Sequence, residues 1–240
     1  SIRLETYTYA PGSLGERFRA AAVRARQRGV EVKILGDALG SLNFPDAFWE
    51  PLRAAGGQFR WFNPLNLKRL TFRDHRKLLV CDDRVAFVGG FNLAPEYEGD
   101  GVHRGWRDVG LSVTGGLAAE LTQSFDLLFS RADFQHQAFT RFRRAQPRQA
   151  IAAPFADILL SVPGRGRNTI KRALTQDLLR AQDIRIAAAY FIPTRRLRRA
   201  MVRTARRGGR VQLILPAKSD VPLAQLASHS SVGDQLLAQS

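Results

Sequence analysis

Cysteine is almost absent from this chain of 240 residues: Cys81 is the single one, so no internal disulfide can form. That excludes a disulfide-stapled scaffold and suits a reducing compartment. Long apolar runs are missing as well. The longest, such as residues 186–192, have the length of a strand and fall short of a membrane span. No secretory leader is legible. Residues 2–9 already read as a core strand and the first residue is not Met, so a fragment is expected, at least at the start. Lysine is scarce, with five among 37 basic residues, and acids number only 21, leaving a net charge of +16. Such a field attracts phosphates, whether of nucleic acid, anionic lipid or a phosphorylated substrate. The alternative is an arginine preference spread over a solvated surface.

What is present is ordinary for a globular protein: 45% hydrophobic and 24% charged residues, which excludes a disordered tail or a collagen-like chain. The length allows one to two domains and a core that needs no staples. Strand and helix patterns alternate. Residues 2–9, 30–35, 58–62, 77–81, 84–88 and 109–113 read as strands. Leu14, Phe18, Ala21, Ala22 and Ala25 recur at helical spacing, Phe48 and Leu52 mark a short helix, and 117–129 a longer one. This order predicts an α/β fold with an apolar sheet covered by helices on both faces.

Residues 131–156 break the rhythm, carrying Arg131, Arg141, Arg143, Arg144, Arg148, Pro147 and Pro154, and read as a linker. The pattern then resumes with strands at 157–161, 184–190 and 211–215, and helices at 168–181, 194–207 and near 223–237. The second stretch echoes the first: Arg28-Gly29-Val30-Glu31-Val32 resembles Arg207-Gly208-Gly209-Arg210-Val211. A duplicated α/β unit is therefore expected, with residues 1–130 as the first copy and 157–240 as an incomplete second.

One segment carries chemistry. It is His75-Arg76-Lys77-Leu78-Leu79-Val80-Cys81-Asp82, followed by Gly89-Gly90-Phe91-Asn92. On an extended chain, residues two apart share a face, so His75 and Lys77 project together and Arg76 points away. Gly89 and Gly90 let backbone approach a ligand, and Asn92 offers an amide donor beside them. An imidazole, an ammonium and an amide converging on one point suit a phosphate, which the imidazole can attack while the others hold charge. Asp82, an odd step from His75, reads as a turn and support residue. A lone His-x-Lys is usually a surface accident; here it is joined to an apolar strand and Gly-Gly-x-Asn.

That joint pattern resembles the phospholipase D superfamily. Leu4-Glu5-Thr6-Tyr7, Trp61-Phe62-Asn63-Pro64, Asp74-His75-Arg76-Lys77, Gly105-Trp106-Arg107-Asp108 and Ala189-Tyr190-Phe191-Ile192-Pro193 are similar to its cardiolipin synthase branch, over nearly the whole chain. The resemblance implies a phospholipase D-like fold in which two motif copies, one per half, meet at a shared site. One His would attack a phosphodiester to give a phosphohistidine intermediate and the other would protonate the leaving alcohol, with no metal or other cofactor. Carried over, His75 is nucleophile or acid/base, Lys77, Asn92 and Gly90 hold phosphate, Gly89 and Asp82 support the motif, and Asp108 orients the imidazole. The implied substrate is an anionic phospholipid such as phosphatidylglycerol, met by a peripheral enzyme on the inner, cytoplasmic face of the cell membrane. No second His-x-Lys-x4-Asp occurs in the 240 residues.

Three functions follow as expectations: phospholipid phosphatidyltransfer, phosphodiester hydrolysis of lipid or nucleic acid, or phosphate binding without turnover. Leu65, Leu67, Leu70 and Phe72, just before His75, suit acyl chains better than a polyanion groove. Arg195, Arg196, Arg198, Arg199, Arg203, Arg206, Arg207 and Arg210 crowd one stretch. They suit either a helix lying on anionic lipid or, the reading favoured from sequence, a helix docked on the sheet with a solvated Arg face. Gly164-Arg165-Gly166-Arg167-Asn168 reads as a plain loop before a helix.

Overall fold

The computed structural model describes residues 1–42, 44–64, 72–132, 150–153, 156–160 and 169–216. Six strands form one sheet: β1 (Ile2–Thr6), β2 (Val32–Asp37), β3 (Gln58–Phe62), β4 (Leu78–Cys81), β5 (Val85–Gly89) and β6 (Gly110–Thr114). Their order is β3-β2-β1-β4-β5-β6. The first three are parallel, and β4, β5 and β6 each run antiparallel to the preceding neighbour in that order. Parallel neighbours need a crossover, and α1 (Ser13–Gln27) and the short α2 (Glu50–Ala54) supply it. Helix α3 (Gly116–Phe129) follows β6.

The sheet is covered on both faces, as the apolar runs predict. On one face Leu35, Phe62, Leu78, Val80 and Ala86 pack with Ala118, Leu121, Phe125 and Leu128 of α3. On the other, Leu4, Val32, Ile34 and Phe59 pack with Ala22 and Ala25 of α1, Leu52 of α2, and Trp49. Trp49 is fully buried and stacks on Phe59 with ring centroids 4.1 Å apart. Burying a ring of this size stabilises by several times the ~1 kcal/mol of an ordinary hydrogen bond.

The first strand is shorter than the 2–9 run suggests. The chain turns after Thr6, whose hydroxyl donates to the Thr8 carbonyl, and Tyr9 resumes pairing only as a bridge to Leu93. Antiparallel strands β7 (Ala150–Ala153) and β8 (Ala156–Leu159) pair with each other. β7 falls in the segment read as a linker, because its Ala-Ile-Ala-Ala run has no alternation to mark it.

The chain divides into two compact units, Ser1–Gly166 and Arg167–Ser240. The second contains α4 (Thr169–Arg180), β9 (Asp183–Ala187), α5 (Arg195–Arg206) and β10 (Arg210–Ile214), with β9 and β10 parallel. Its β9–α5–β10 order repeats β1–α1–β2. Both helices stop at the same device: Gly29 and Gly208, at φ +86° and +81°, take the left-handed position that closes a helix C-terminus. The expected helix near 223–237 and the loop at 164–168 lie outside the described residues. No helix among the described residues is long and apolar enough to cross a membrane.

Candidate active site

His75, Arg76 and Lys77 run extended into β4, and the alternation expected of them holds. The Lys77 Nζ lies 3.1 Å from His75 Nδ1 and 3.4 Å from Nε2, and donates to the His75 carbonyl at 2.9 Å. Tyr7 backs both: its ring centroid is 4.5 Å from that of His75 and 5.3 Å from the Lys77 ammonium. Arg76 points the other way. Its Nε and Nη2 donate to the two Glu5 carboxylate oxygens at 2.7 Å each, and Nη1 donates to Ser124 Oγ of α3 at 2.7 Å.

Beneath this pair lies a buried acidic cluster. Asp74 donates its amide to Asp37 Oδ2 at 2.9 Å, and Asp37 also accepts from the Leu39 and Gly40 amides. Glu5, Asp37 and Asp74 are all about 1% exposed. Burial, then the charge and hydrogen bond of Glu5, push the Asp74 carboxyl well above the ordinary carboxylate range. Arg76 lies against both carboxyls, 2.7 Å from Glu5 and 3.7 Å from Asp74 Oδ1, and balances the charge of the cluster.

The same physics tunes the exposed pair. Burial pulls the Lys77 ammonium down to about 8, opposed by Asp74, Asp108 and Asp37. Partial burial and then the Lys77 charge lower His75 below its usual value, opposed by Asp37. A neutral imidazole beside an ammonium is the state that can attack phosphorus while neutralising its oxygens.

The remaining expected residues take these positions. A Cβ on Gly90 would collide with both carboxylate oxygens of Asp108, so glycine here lets Asp108 lie against the backbone. Gly89 pairs with Gly110, where β5 and β6 come close. Asp108 accepts from the Val109 amide at 2.7 Å and its charge is felt at Lys77; it makes no hydrogen bond with His75 among the described residues. The Asn92 side chain ties loops together, accepting from the Thr8 amide at 3.1 Å and donating to the Tyr97 hydroxyl at 3.1 Å. Asp82 sits at the far end of β4 in the β4–β5 turn, at φ +53°, and its neighbour Asp83 accepts from Thr122. Cys81, at the end of β4, is half-buried, and burial pushes its thiol up. His103 pairs with Asp100 on an exposed loop.

Phe72 does not face a ligand. It is buried in the core and stacked on Phe62, while residues 65–71 lie outside the described residues. The apolar surface at the site comes from elsewhere. A cavity of about 300 Å³ is walled by Leu4, Phe18, Leu79, Phe87, Phe91 and Leu93, and Lys77 forms part of the same wall. Sequence reasoning missed Tyr7, Asp37 and Ser124 as parts of the site. Only Tyr7 carried a signal, standing two residues beyond Glu5 on the same strand run. Among the described residues no group of three or more His, Cys, Asp or Glu is placed to hold a metal ion.

Known proteins are similar to this chain in sequence. Residues 1–125 match the family described as "Cardiolipin synthase, PLD-like domain". Cardiolipin synthase B of Salmonella typhi is 33% identical over 233 residues, covering 95% of this chain and 56% of that protein. The major cardiolipin synthase ClsA of Bacillus subtilis is 31% identical over 246 residues, covering 99% of this chain and 50% of its own. The chain thus spans about half the length of these curated relatives. In fold alone it is similar to a polyphosphate kinase from Porphyromonas gingivalis, with 16% identity, a TM-score of 0.54, and coverage of 93% of this chain and 32% of that one. By the match over residues 1–125, more than half of its length, the chain belongs to the cardiolipin synthase family of phospholipase D-like domains.

Proposed function

We propose that this chain contributes one histidine motif to a phosphatidyltransferase that joins a phosphatidyl group to the hydroxyl of a second lipid. The observation that carries this reading is the place of Lys77: the residue whose ammonium lies 3.1 Å from His75 Nδ1 also lines an apolar cavity of about 300 Å³. A phosphodiester with acyl chains fits that pairing of charge and hydrocarbon; a nucleic acid backbone does not need it.

In this reading the neutral His75 attacks phosphorus, a P–N bond forms, and the P–O bond to the leaving alcohol breaks. A second histidine, from a motif outside these 240 residues, gives that alcohol its proton. The acceptor hydroxyl then returns a proton to it while attacking the phosphohistidine, which frees His75. Lys77 neutralises the non-bridging oxygens throughout, and Asp108 keeps positive charge favourable at Lys77. The units of the relatives' fold, with residues 131–156 as the linker between repeats, belong to the same proposal. So does work at an anionic membrane surface on the cytoplasmic side.

The test uses the complete gene product with labelled phosphatidylglycerol. Transfer is expected to release glycerol and yield a lipid carrying two phosphatidyl groups, and an acid-labile phosphate is expected on the quenched protein. His75→Ala is expected to remove both by at least about a thousandfold, in line with loss of a covalent nucleophile. Strand cleavage of DNA without any lipid product would replace this reading with the nuclease one.

A further inference from the structure

The strongest feature that the site does not use is helix α5. Six of its twelve residues are arginine and none is acidic. At 100° per residue, Arg195, Arg196, Arg199, Arg203 and Arg206 fall within an arc of about 100°. All five are exposed, while Ala200, Met201 and Thr204 on the opposite side are buried. Thr194 caps the start, accepting from the Leu197 amide. The helix is therefore held by its apolar side, and the guanidinium row is displayed over about 17 Å of helix axis.

These five charges are unbalanced. Among the described residues none has an ion-pair partner, whereas Arg185 and Arg210 share Asp183 close by. Helix α1 holds the equivalent place in the first unit, and there Arg17 meets Glu98 and Arg19 meets Glu16. Like charges four apart, as at Arg195, Arg199 and Arg203, weaken a helix by themselves. Residues 167–240 carry 14 Lys and Arg against 4 acids, a net +10. Two exposed groups, Tyr190 and Ile192, precede the helix at 44% and 60% exposure. An aromatic ring and a bare aliphatic chain beside a basic row suit a headgroup boundary; a nucleic acid groove offers the aliphatic chain nothing.

We propose that the exposed arginine face of α5, with Tyr190 and Ile192 at its start, is the surface by which this chain lies on an anionic phospholipid bilayer. The proposal rests on the phospholipid reading above for the choice of lipid over other polyanions. Each arginine near such a surface is worth about fivefold in binding, so three together contribute about a hundredfold.

The experiment is sedimentation of the full chain with phosphatidylcholine vesicles containing 30 mol % phosphatidylglycerol, at about 0.1 M NaCl. Binding is expected there and not to phosphatidylcholine alone. The triple variant Arg195→Gln, Arg199→Gln, Arg203→Gln is expected to bind about a hundredfold more weakly, with unchanged helical signal, since Gln is a good helix former. A control variant, Arg24→Gln, Arg28→Gln, Arg84→Gln, removes the same charge from exposed sites of the first unit and is expected to bind within a few-fold of the parent. Equal loss in both variants would overturn the proposal in favour of net charge alone. So would wild-type binding that survives 1 M NaCl, or a duplex DNA that displaces vesicles at equal phosphate concentration. Vesicle binding is read without turnover, so an absence of lipid product would sink the transferase reading and leave this result standing.

Discussion

At the scale of single residues, the site is a matter of proton placement. His75 must be neutral to attack, and its lowered value keeps it so from somewhat below pH 6.5 upward. Lys77 must be charged to hold phosphate, and it loses its proton through about pH 8. For the complete enzyme, kcat/KM is therefore expected to rise on an acid limb below 6.5 and fall on an alkaline limb near 8, because this ratio reports the free enzyme's groups. Lys77→Arg, which stays charged at any accessible pH, is expected to abolish the alkaline limb while lowering the plateau. An alkaline limb that stays near 8 in that variant would assign it to another group. The spacing of His75 and Lys77 is legible in sequence because an extended chain alternates its faces, and that geometry is local. The position of Asp108 against Gly90 is not legible, since it depends on the register in which the ends of β5 and β6 pair. Nor is the use of the Asn92 amide on Thr8 and Tyr97, which sequence reading would leave free for a ligand.

At the scale of elements, the strand run that carries the site is fastened to β1 and α3 through Arg76. Bidentate pairing with Glu5 and a third bond to Ser124 join three elements at one guanidinium. Removing one partner leaves an uncompensated buried charge, which costs about 3–5 kcal/mol, whereas replacing both with apolar groups costs far less. Urea melts of Glu5→Leu, Arg76→Met and the double variant are expected to show this: each single strongly destabilised, the double well short of their sum. Additive losses would mean that the two residues act independently. The sheet strands and the helices that cover them are legible from apolar periodicity, and Gln58–Phe62 is a strand as that pattern predicts. What periodicity cannot reveal is the pairing between distant polar residues. Glu5 and Arg76 each look like a surface charge until β1 and β4 are laid side by side.

At the scale of the whole molecule, charge is the dominant feature. A net +16 in 240 residues means self-repulsion that screening relieves. Between about 10 mM and 150 mM salt the reach of these charges falls from roughly 30 Å to 8 Å. The melting temperature is therefore expected to rise over that range of NaCl, measured by circular dichroism; a flat or falling trend would mean that ion pairs outweigh repulsion. A further consequence lies in the order in which the chain is made. Arg76 waits for Ser124, 48 residues later, to complete its three bonds. At roughly 5–20 residues per second of synthesis, that is an interval of about 2–10 s. During it, a nascent chain already carries His75 and Lys77 but lacks the helix that holds them in place. The half-site thus matures only once α3 has left the ribosome, and a pause or truncation between residues 76 and 124 would leave Arg76 held by Glu5 alone, without the α3 anchor.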